Sequence, residues 1–190
     1  MSDRVSALAG ASSKGFVEVA EAGLVGMVTI RGDLGDEGFG AAVSGALGVG
    51  LPEPRKLVEG EGVSLLWMSP DELLLVCDHA QSAEYEGKLS AALDGQHHLL
   101  AVVSDARAVF DVSGPASALR DMFAKLTPAD VRGGTLGVAE VRRTRFAQVP
   151  AAFWFNGDEA ARVVCFRSQA AYVFGLLAQA SRVGSEPEYF

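Results

Sequence analysis

The sequence predicts an α+β fold in which two pseudo-repeated split βαβ halves, of the ferredoxin-like type, are fused into one domain with antiparallel or mixed sheets and helices on one face. The first observation is that the order strand, helix, strand, strand, helix occurs twice along the chain. The second is that Trp67 and Trp154, and likewise Cys77 and Cys165, recur at nearly the same offset. An offset shared by several residue pairs indicates an internal repeat.

The length of 190 residues allows one domain with a sizeable core. We expect an N-terminal arm over residues 1–23 and a C-terminal tail over residues 183–190. Between them, residues 24–182 should form a single α+β domain. This domain should consist of two related halves, over about residues 24–104 and 105–182.

The first half contains six predicted elements, in the order strand, helix, strand, strand, helix, strand: 24–31, 36–47, 63–68, 73–77, 80–93 and 99–104. The two middle strands flank the turn Ser69-Pro70-Asp71-Glu72, in which proline presets φ and aspartate can bond its own backbone. These two strands should therefore form a hairpin.

The second half repeats the pattern. It begins with a strand over residues 108–112 and a helix that starts near Pro115 and places Leu119, Met122 and Phe123 on one face. Its later elements are four predicted strands, 136–143, 145–149, 151–155 and 162–166. A last helix should begin after Ser168, acting as the N-cap.

The charge and hydrophobic content of the chain argue against nucleic acid and membranes as partners. Hydrophobic residues make up 49% and the net charge is −8, which is typical of a globular chain whose surface repels nucleic acid. Arg142, Arg143 and Arg145 form too short a cluster to reverse this, and we interpret them as a strand edge or a protein contact. No apolar run is long enough to span a bilayer or to resemble a signal peptide, so we expect a cytoplasmic chain.

Motifs that support catalysis are missing from the sequence. It contains no P-loop, no dinucleotide fingerprint, no Gly-x-Ser-x-Gly elbow and no His-Glu-x-x-His pair. His97 and His98 are adjacent and would point to opposite faces of a strand, which prevents them from sharing a metal. Cys77 and Cys165 each lie in an apolar run and are predicted to be buried thiols. We therefore predict no catalytic, cofactor-binding or metal-binding residue in this chain.

Four residues are candidates for contact with a partner chain. Arg107 and Arg167 lie at predicted strand ends, where an arginine either pairs with a carboxylate such as Asp105 or clamps a substrate carboxylate. Tyr189 and Phe190 end a polar tail with no obvious core to enter, so they form either a free end or an anchor on a partner.

Three segments of the chain are similar to sequence motifs of one known protein family. Residues 65–76 (LLWMSPDELLLV) are similar to that family's LW-x-x-PDEWLL segment, and residues 103–115 (VSDARAVFDVSGP) to its DVSDARAVFRLSGP segment. Residues 166–174 (FRSQAAYVF) are similar to its RSFADYLW helix start. Through these three segments the chain resembles the gamma subunits of heterotetrameric sarcosine oxidases. The chain departs from these patterns at single positions, which include Leu73, Gln169 and Ala171.

The resemblance implies a four-subunit flavoenzyme that oxidatively demethylates sarcosine to glycine, with tetrahydrofolate as the one-carbon acceptor. It implies that the alpha, beta and delta partner subunits hold FAD, FMN, NAD, zinc and tetrahydrofolate. It also implies a fold similar to the folate-binding domain of glycine-cleavage T-proteins. This chain would then be a structural subunit that holds no cofactor and has no catalytic site of its own.

Two alternatives remain open at this point. The first is the same structural role in a complex that acts on another N-methyl amino acid, such as an N-methylglutamate dehydrogenase. The second is a stand-alone folate- or pterin-binding protein. That protein would need a pocket with a carboxylate and aromatic walls, to which Asp105 and Trp154 could contribute.

Overall fold

The computed structural model describes residues 4–190 of the chain. These residues form two compact units. The central unit is the continuous stretch Val25–Asp105. The terminal unit combines the N-terminal segment that ends at Leu24 with Ala106–Phe190. The terminal unit therefore contains more of the chain than the expected second half, because the segment before the central unit also belongs to it.

The segment expected to be an arm supplies two strands, β1 (Ser12–Lys14) and β2 (Glu18–Glu21). The prediction of an N-terminal arm over residues 1–23 is therefore wrong for the residues of these two strands. Residues 1–3 of the predicted arm lie outside the described residues. Gly15 permits a close approach between backbones, since a Cβ there would lie 1.8 Å from the Ser181 carbonyl oxygen. Phe16 N–H donates to that same oxygen at 2.8 Å.

The central unit contains one five-stranded sheet and two helices. Its elements in chain order are β3 (Val25–Arg31), α1 (Glu37–Leu47), β4 (Leu57–Gly60), β5 (Val63–Ser69), β6 (Glu72–Asp78), α2 (Ser82–Ala92) and β7 (Leu99–Val102). The strand order across the sheet is β4-β5-β6-β3-β7, and every pairing is antiparallel. Strand β4 lies where the sequence predicted only a loop.

Helix α1 shows how local signals set the elements of this unit. Its first turn is capped by the Asp36 carboxylate, which accepts a hydrogen bond from Phe39 N–H at 2.7 Å. It ends at Gly48, whose φ of 71° places it in the left-handed region that favours glycine. Phe39, Val43 and Leu47 recur every four residues and are buried, so one face of the helix packs against the sheet.

The terminal unit contains a six-stranded antiparallel sheet and the other two helices. Its later elements are β8 (Arg107–Ser113), α3 (Ala116–Ala124), β9 (Val141–Phe146), β10 (Val149–Gly157), β11 (Ala160–Phe166) and α4 (Ala170–Ala180). The strand order is β1-β2-β8-β11-β10-β9. The observed β9 and β10 correct the predicted boundaries, because the turn falls at Ala147, with a φ of 49°, and not at Thr144.

The start of α4 also differs from its prediction. Ser168 was expected to be the N-cap, but it lies within a 3-10 turn, Arg167–Gln169. The α-helix begins at Ala170, and the N-cap residue Gln169 makes no side-chain capping bond. A 3-10 turn in front of the helix thus takes the place of the predicted cap.

A cluster of phenylalanines forms the centre of the terminal core. The rings of Phe123 and Phe153 are stacked, with centroids 4.8 Å apart. Phe123 also contacts Phe146 and Phe155, at centroid distances of 5.8 Å and 5.7 Å. All four side chains are fully buried, so α3 is fixed to the sheet through one aromatic side chain.

Both units are therefore α+β, with two helices packed against an antiparallel sheet. The further interpretation, that they are pseudo-repeated ferredoxin-like halves, stays a prediction. Within residues 4–190 no helix has both the length and the apolar character that a membrane crossing needs.

Candidate subunit interface

An exposed phenylalanine and an arginine form a stacked pair at one end of the terminal sheet. Phe166, the last residue of β11, is directly opposite Arg107, the first residue of β8. The Arg107 guanidinium carbon lies 4.1 Å from the centroid of the Phe166 ring. The Phe166 side chain nevertheless remains 45% exposed, so the pair presents an aromatic surface and a cation to the solvent.

Arg167 extends this surface to the N-terminal segment. Its guanidinium donates a hydrogen bond of 2.8 Å to the Val5 carbonyl oxygen, and the Val5 side chain is exposed. We call these four residues, Val5, Arg107, Phe166 and Arg167, the arginine–phenylalanine patch. Two of the four residues predicted as an interface, Arg107 and Arg167, are thus brought together at one end of the β8–β11 pair.

The N-terminal part of the patch is held by a buried carboxylate. Glu21 accepts hydrogen bonds from the Ser6 hydroxyl and from the N–H groups of Leu8 and Gly10, at 2.9, 2.8 and 2.7 Å. Burial by itself raises the pKa of Glu21, but these hydrogen bonds outweigh it and lower the pKa below its usual value. The ionised carboxylate therefore fixes the loop that carries Val5.

Replacing Glu21 by glutamine is expected to destabilise the terminal unit by roughly 1.5–3 kcal/mol at pH 7, since bonds to a charged acceptor are lost. Because the folded-state pKa is lowered, the stabilisation is complete above the unfolded value of about 4.5 and disappears as the pH falls through the folded value. Urea denaturation of wild type and Glu21→Gln between pH 7 and pH 3 measures this. Glu18→Gln, on the exposed side of the same strand, is the control; equal losses for both variants would contradict the assignment.

The C-terminal aromatics occupy a different part of the terminal unit. Tyr189 N–H donates to the buried Asp121 carboxylate at 3.1 Å, and the rings of Tyr189 and Phe190 meet edge to face at 5.0 Å. Together with residues around Asp130 and Arg132 they line a cavity of about 290 Å³. The tail is thus anchored by its backbone, while the Tyr189 ring itself stays exposed.

The sequence interpretation missed the aromatic half of the patch. The sequence pattern predicts Phe166 only as the end of a strand, although it is the residue on which Arg107 stacks. Asp105, considered as a partner for Arg107, lies 3.7 Å from the His79 ring instead, within the central unit. Tyr172, in the first turn of α4, is another exposed aromatic residue that the sequence pattern did not single out.

The two cysteines are buried and free, as predicted. Burial raises the pKa of both thiols to about 11; the neighbouring Asp78 adds to the effect at Cys77, whereas Arg107 partly opposes it at Cys165. The Cys165 thiol also points at the carbonyl oxygen of Phe166, 3.4 Å away.

We expect both thiols to be nearly inert toward a neutral disulfide reagent at pH 8. A pKa of about 11 in place of 9.0 lowers the thiolate fraction about a hundredfold, and burial slows access further. Labelling of the native chain, followed by absorbance, should be at least a hundredfold slower than labelling in denaturant. Fast native labelling that disappears in Cys77→Ala or Cys165→Ala would show an exposed thiol and contradict this.

The fold of the chain is similar to that of an aminomethyltransferase. This chain superposes on the crystal structure of glycine cleavage system aminomethyltransferase T from Bartonella henselae with a TM-score of 0.60 and 15% sequence identity. The match covers 86% of this chain and 45% of that one, and at this identity it concerns the fold alone.

The model of the sarcosine oxidase, gamma subunit family matches residues 31–183. Sarcosine oxidase subunit gamma from Corynebacterium sp. (strain P-1) is 33% identical over 184 residues, 95% of this chain and 88% of that one. A chain of the heterotetrameric sarcosine oxidase from Corynebacterium sp. U-96 superposes with a TM-score of 0.78 and 27% identity, over 90% of this chain and 87% of that one. The chain belongs to the sarcosine oxidase gamma subunit family.

Proposed function

We propose that this chain is the gamma subunit of a heterotetrameric sarcosine oxidase and that its role in the complex is structural. The observation that supports this most directly is its similarity, along nearly its whole length, to one chain of a solved heterotetrameric sarcosine oxidase. Its partners would be the alpha, beta and delta subunits of the same complex.

The chemistry of the arginine–phenylalanine patch suits a protein contact. Aromatic and arginine side chains are enriched among the residues that dominate binding energy at interfaces. In a chain with a net charge of −8, Arg107 and Arg167 also form a local concentration of positive charge that favours a partner surface with carboxylates. The patch is therefore our first choice for a surface that contacts another subunit.

The reaction proposed for the complex is the oxidative demethylation of sarcosine to glycine, with tetrahydrofolate accepting the one-carbon unit. FAD, FMN, NAD, zinc and tetrahydrofolate would be bound by the partner subunits. The contribution of this chain would be to supply contact surface and to hold its partners in place. The alternative is the same structural role in a complex that acts on another N-methyl amino acid, such as N-methylglutamate.

A stand-alone pterin- or folate-binding function has less support from the geometry. Trp154, which was considered as an aromatic wall, is only 3% exposed and has no face open to a ligand. Asp105, considered as the carboxylate, is directed at His79.

Co-expression of the tagged chain with the genes encoded beside it, followed by affinity purification and an absorption spectrum, tests the proposal. We expect a yellow complex that contains three further subunits and oxidises sarcosine. A colourless chain recovered alone from the same co-expression would overturn the proposal. A matched titration of the isolated chain with tetrahydrofolate should show no saturable binding, whereas tight binding would favour the stand-alone alternative.

A further inference from the structure

The free edge of β7 in the central sheet differs from the other sheet edges of the described chain. Strand β7 is the last in its sheet and, among residues 4–190, pairs only with β3. Its four residues, Leu99-Leu100-Ala101-Val102, include no charged residue and no proline. The side chains of Leu99 and Val102 are 52% and 46% exposed. An exposed apolar edge strand readily pairs with another chain.

The other three edges carry features that oppose such pairing. Strand β1 is three residues long and polar, and it ends in Lys14. Strand β4 contains Glu59 and follows Lys56 directly. Strand β9 carries three arginines within six residues: Arg142, Arg143 and Arg145. Short length and charged side chains are the usual means by which proteins block edge-to-edge pairing, so β7 is the edge that the sequence leaves unprotected.

The register shows which backbone groups of β7 are available. Val103 N–H donates to the Met27 carbonyl oxygen at 2.8 Å, so this pair lies at a hydrogen-bonded position of the antiparallel ladder. Such positions alternate along a strand. With Val102 opposite Val28, Leu100 and Val102 therefore direct their N–H and C=O groups away from β3. These two residues present a two-residue hydrogen-bonding edge to an incoming strand.

We propose that an extended segment of a partner subunit adds to β7 as a sixth strand of the central sheet. This inference rests on the proposed function, since it requires a partner within the complex. The segment should be apolar and β-branched, because its side chains would lie beside Leu99 and Val102 and a charged group there would lose hydration without a counter-ion. The backbone edge would provide affinity, and the two apolar side chains would provide selectivity.

The dimensions of β7 argue for a partner subunit over a second copy of this chain. Four residues span only about 13 Å. Pairing of two β7 strands alone would bury far less than the roughly 1,200 Å² of a specific stable interface. A partner segment can add to β7 as one part of a larger contact, so its affinity does not depend on four residues.

Residue-resolved hydrogen exchange on the free chain and on the purified complex tests the proposal directly. We expect the Leu100 and Val102 amides to exchange at least tenfold more slowly in the complex. The Ala101 and Val103 amides, which face β3 in both states, are the internal control. A complex that contains the chain but leaves Leu100 and Val102 as fast as in the free chain would overturn the strand addition while leaving the proposed function intact. If the chain enters no complex at all, the proposed function fails, and this proposal with it.

Two variants at one position provide an independent test. Val102→Pro removes an outward N–H group without removing a bond to β3, whereas Val102→Thr keeps the N–H group and the branched shape. We expect the proline variant to bind the partner subunits with at least tenfold lower affinity than the wild type. The threonine variant should bind them as tightly as the wild type does.

A further pair of variants keeps this test decisive if Val102→Pro destabilises the free chain. Val102→Lys is compared with Val138→Lys, which alters a residue of similar exposure, 49%, on the terminal unit. We expect only Val102→Lys to weaken assembly. Equal assembly of all variants would overturn the proposal.

Discussion

The Phe123→Ala substitution is expected to lower the free energy of unfolding by about 3–5 kcal/mol, which is a large part of the 5–15 kcal/mol typical of a domain. The ring is fully buried and contacts Phe146, Phe153 and Phe155. Removing it leaves a cavity and takes away the one aromatic contact of α3 with the sheet, while Leu119 and Met122 stay buried beside it. The lost aromatic pairs add to the cost of the lost burial.

Urea denaturation of the purified chain, followed by circular dichroism, measures this effect. The control is Phe166→Ala, which removes an equally large ring from a half-exposed position and should cost about 1 kcal/mol or less. Phe123→Leu, which fills more of the cavity, should fall between the two. A loss below 1 kcal/mol for Phe123→Ala would show that the phenylalanine cluster does not hold the terminal core together.

The same Phe166→Ala variant is expected to have its large effect on assembly, with affinity for the partner subunits reduced about thirtyfold, or about 2 kcal/mol. Phe166 is exposed, and its ring is already oriented by the Arg107 guanidinium 4.1 Å away. An aromatic side chain that is positioned before binding loses little conformational freedom when a partner covers it.

Retention of the chain on tagged partner subunits, measured over a dilution series, gives the affinity. Val138→Ala, at a residue with 49% exposure compared with 45% for Phe166, is the matched control and should bind normally. Arg167→Ala should also weaken binding, because it releases the Val5 segment as well as removing a charge. Normal retention of Phe166→Ala would exclude the arginine–phenylalanine patch from the interface.

The elements that sequence reasoning located well are those whose signals are local. The turn Ser69-Pro70-Asp71-Glu72 lies at the junction of β5 and β6, as its residue types indicate. Helix α1 was predicted within one residue because an N-cap, an apolar stripe and a terminal glycine agree. Such signals can be read from neighbouring residues without knowing what packs against them.

The elements that were missed depend on distant parts of the chain. Strand β2 has the sequence Glu-Val-Ala-Glu, which shows little strand character by itself. It is ordered because it pairs with residues 110–113 of β8 and because Glu21 binds the preceding loop. The predicted arm failed for this reason: long-range pairing overrode a weak local pattern.

The candidate interface shows the same division. Arg107 and Arg167 could be chosen from the sequence because cations at strand ends are conspicuous. That Phe166 lies under Arg107 follows from the β8–β11 register, which no local pattern reveals. The free edge of β7 likewise becomes apparent only from the strand order of the sheet.

Native mass spectrometry of the purified complex, combined with a sarcosine oxidation assay, tests the central claim most directly. We expect one copy of this 19.8 kDa chain with one copy of each of three partners, activity in the intact complex, and neither flavin nor activity in the isolated chain. A flavin-containing, active assembly that forms equally well without this chain would contradict its role as a structural subunit.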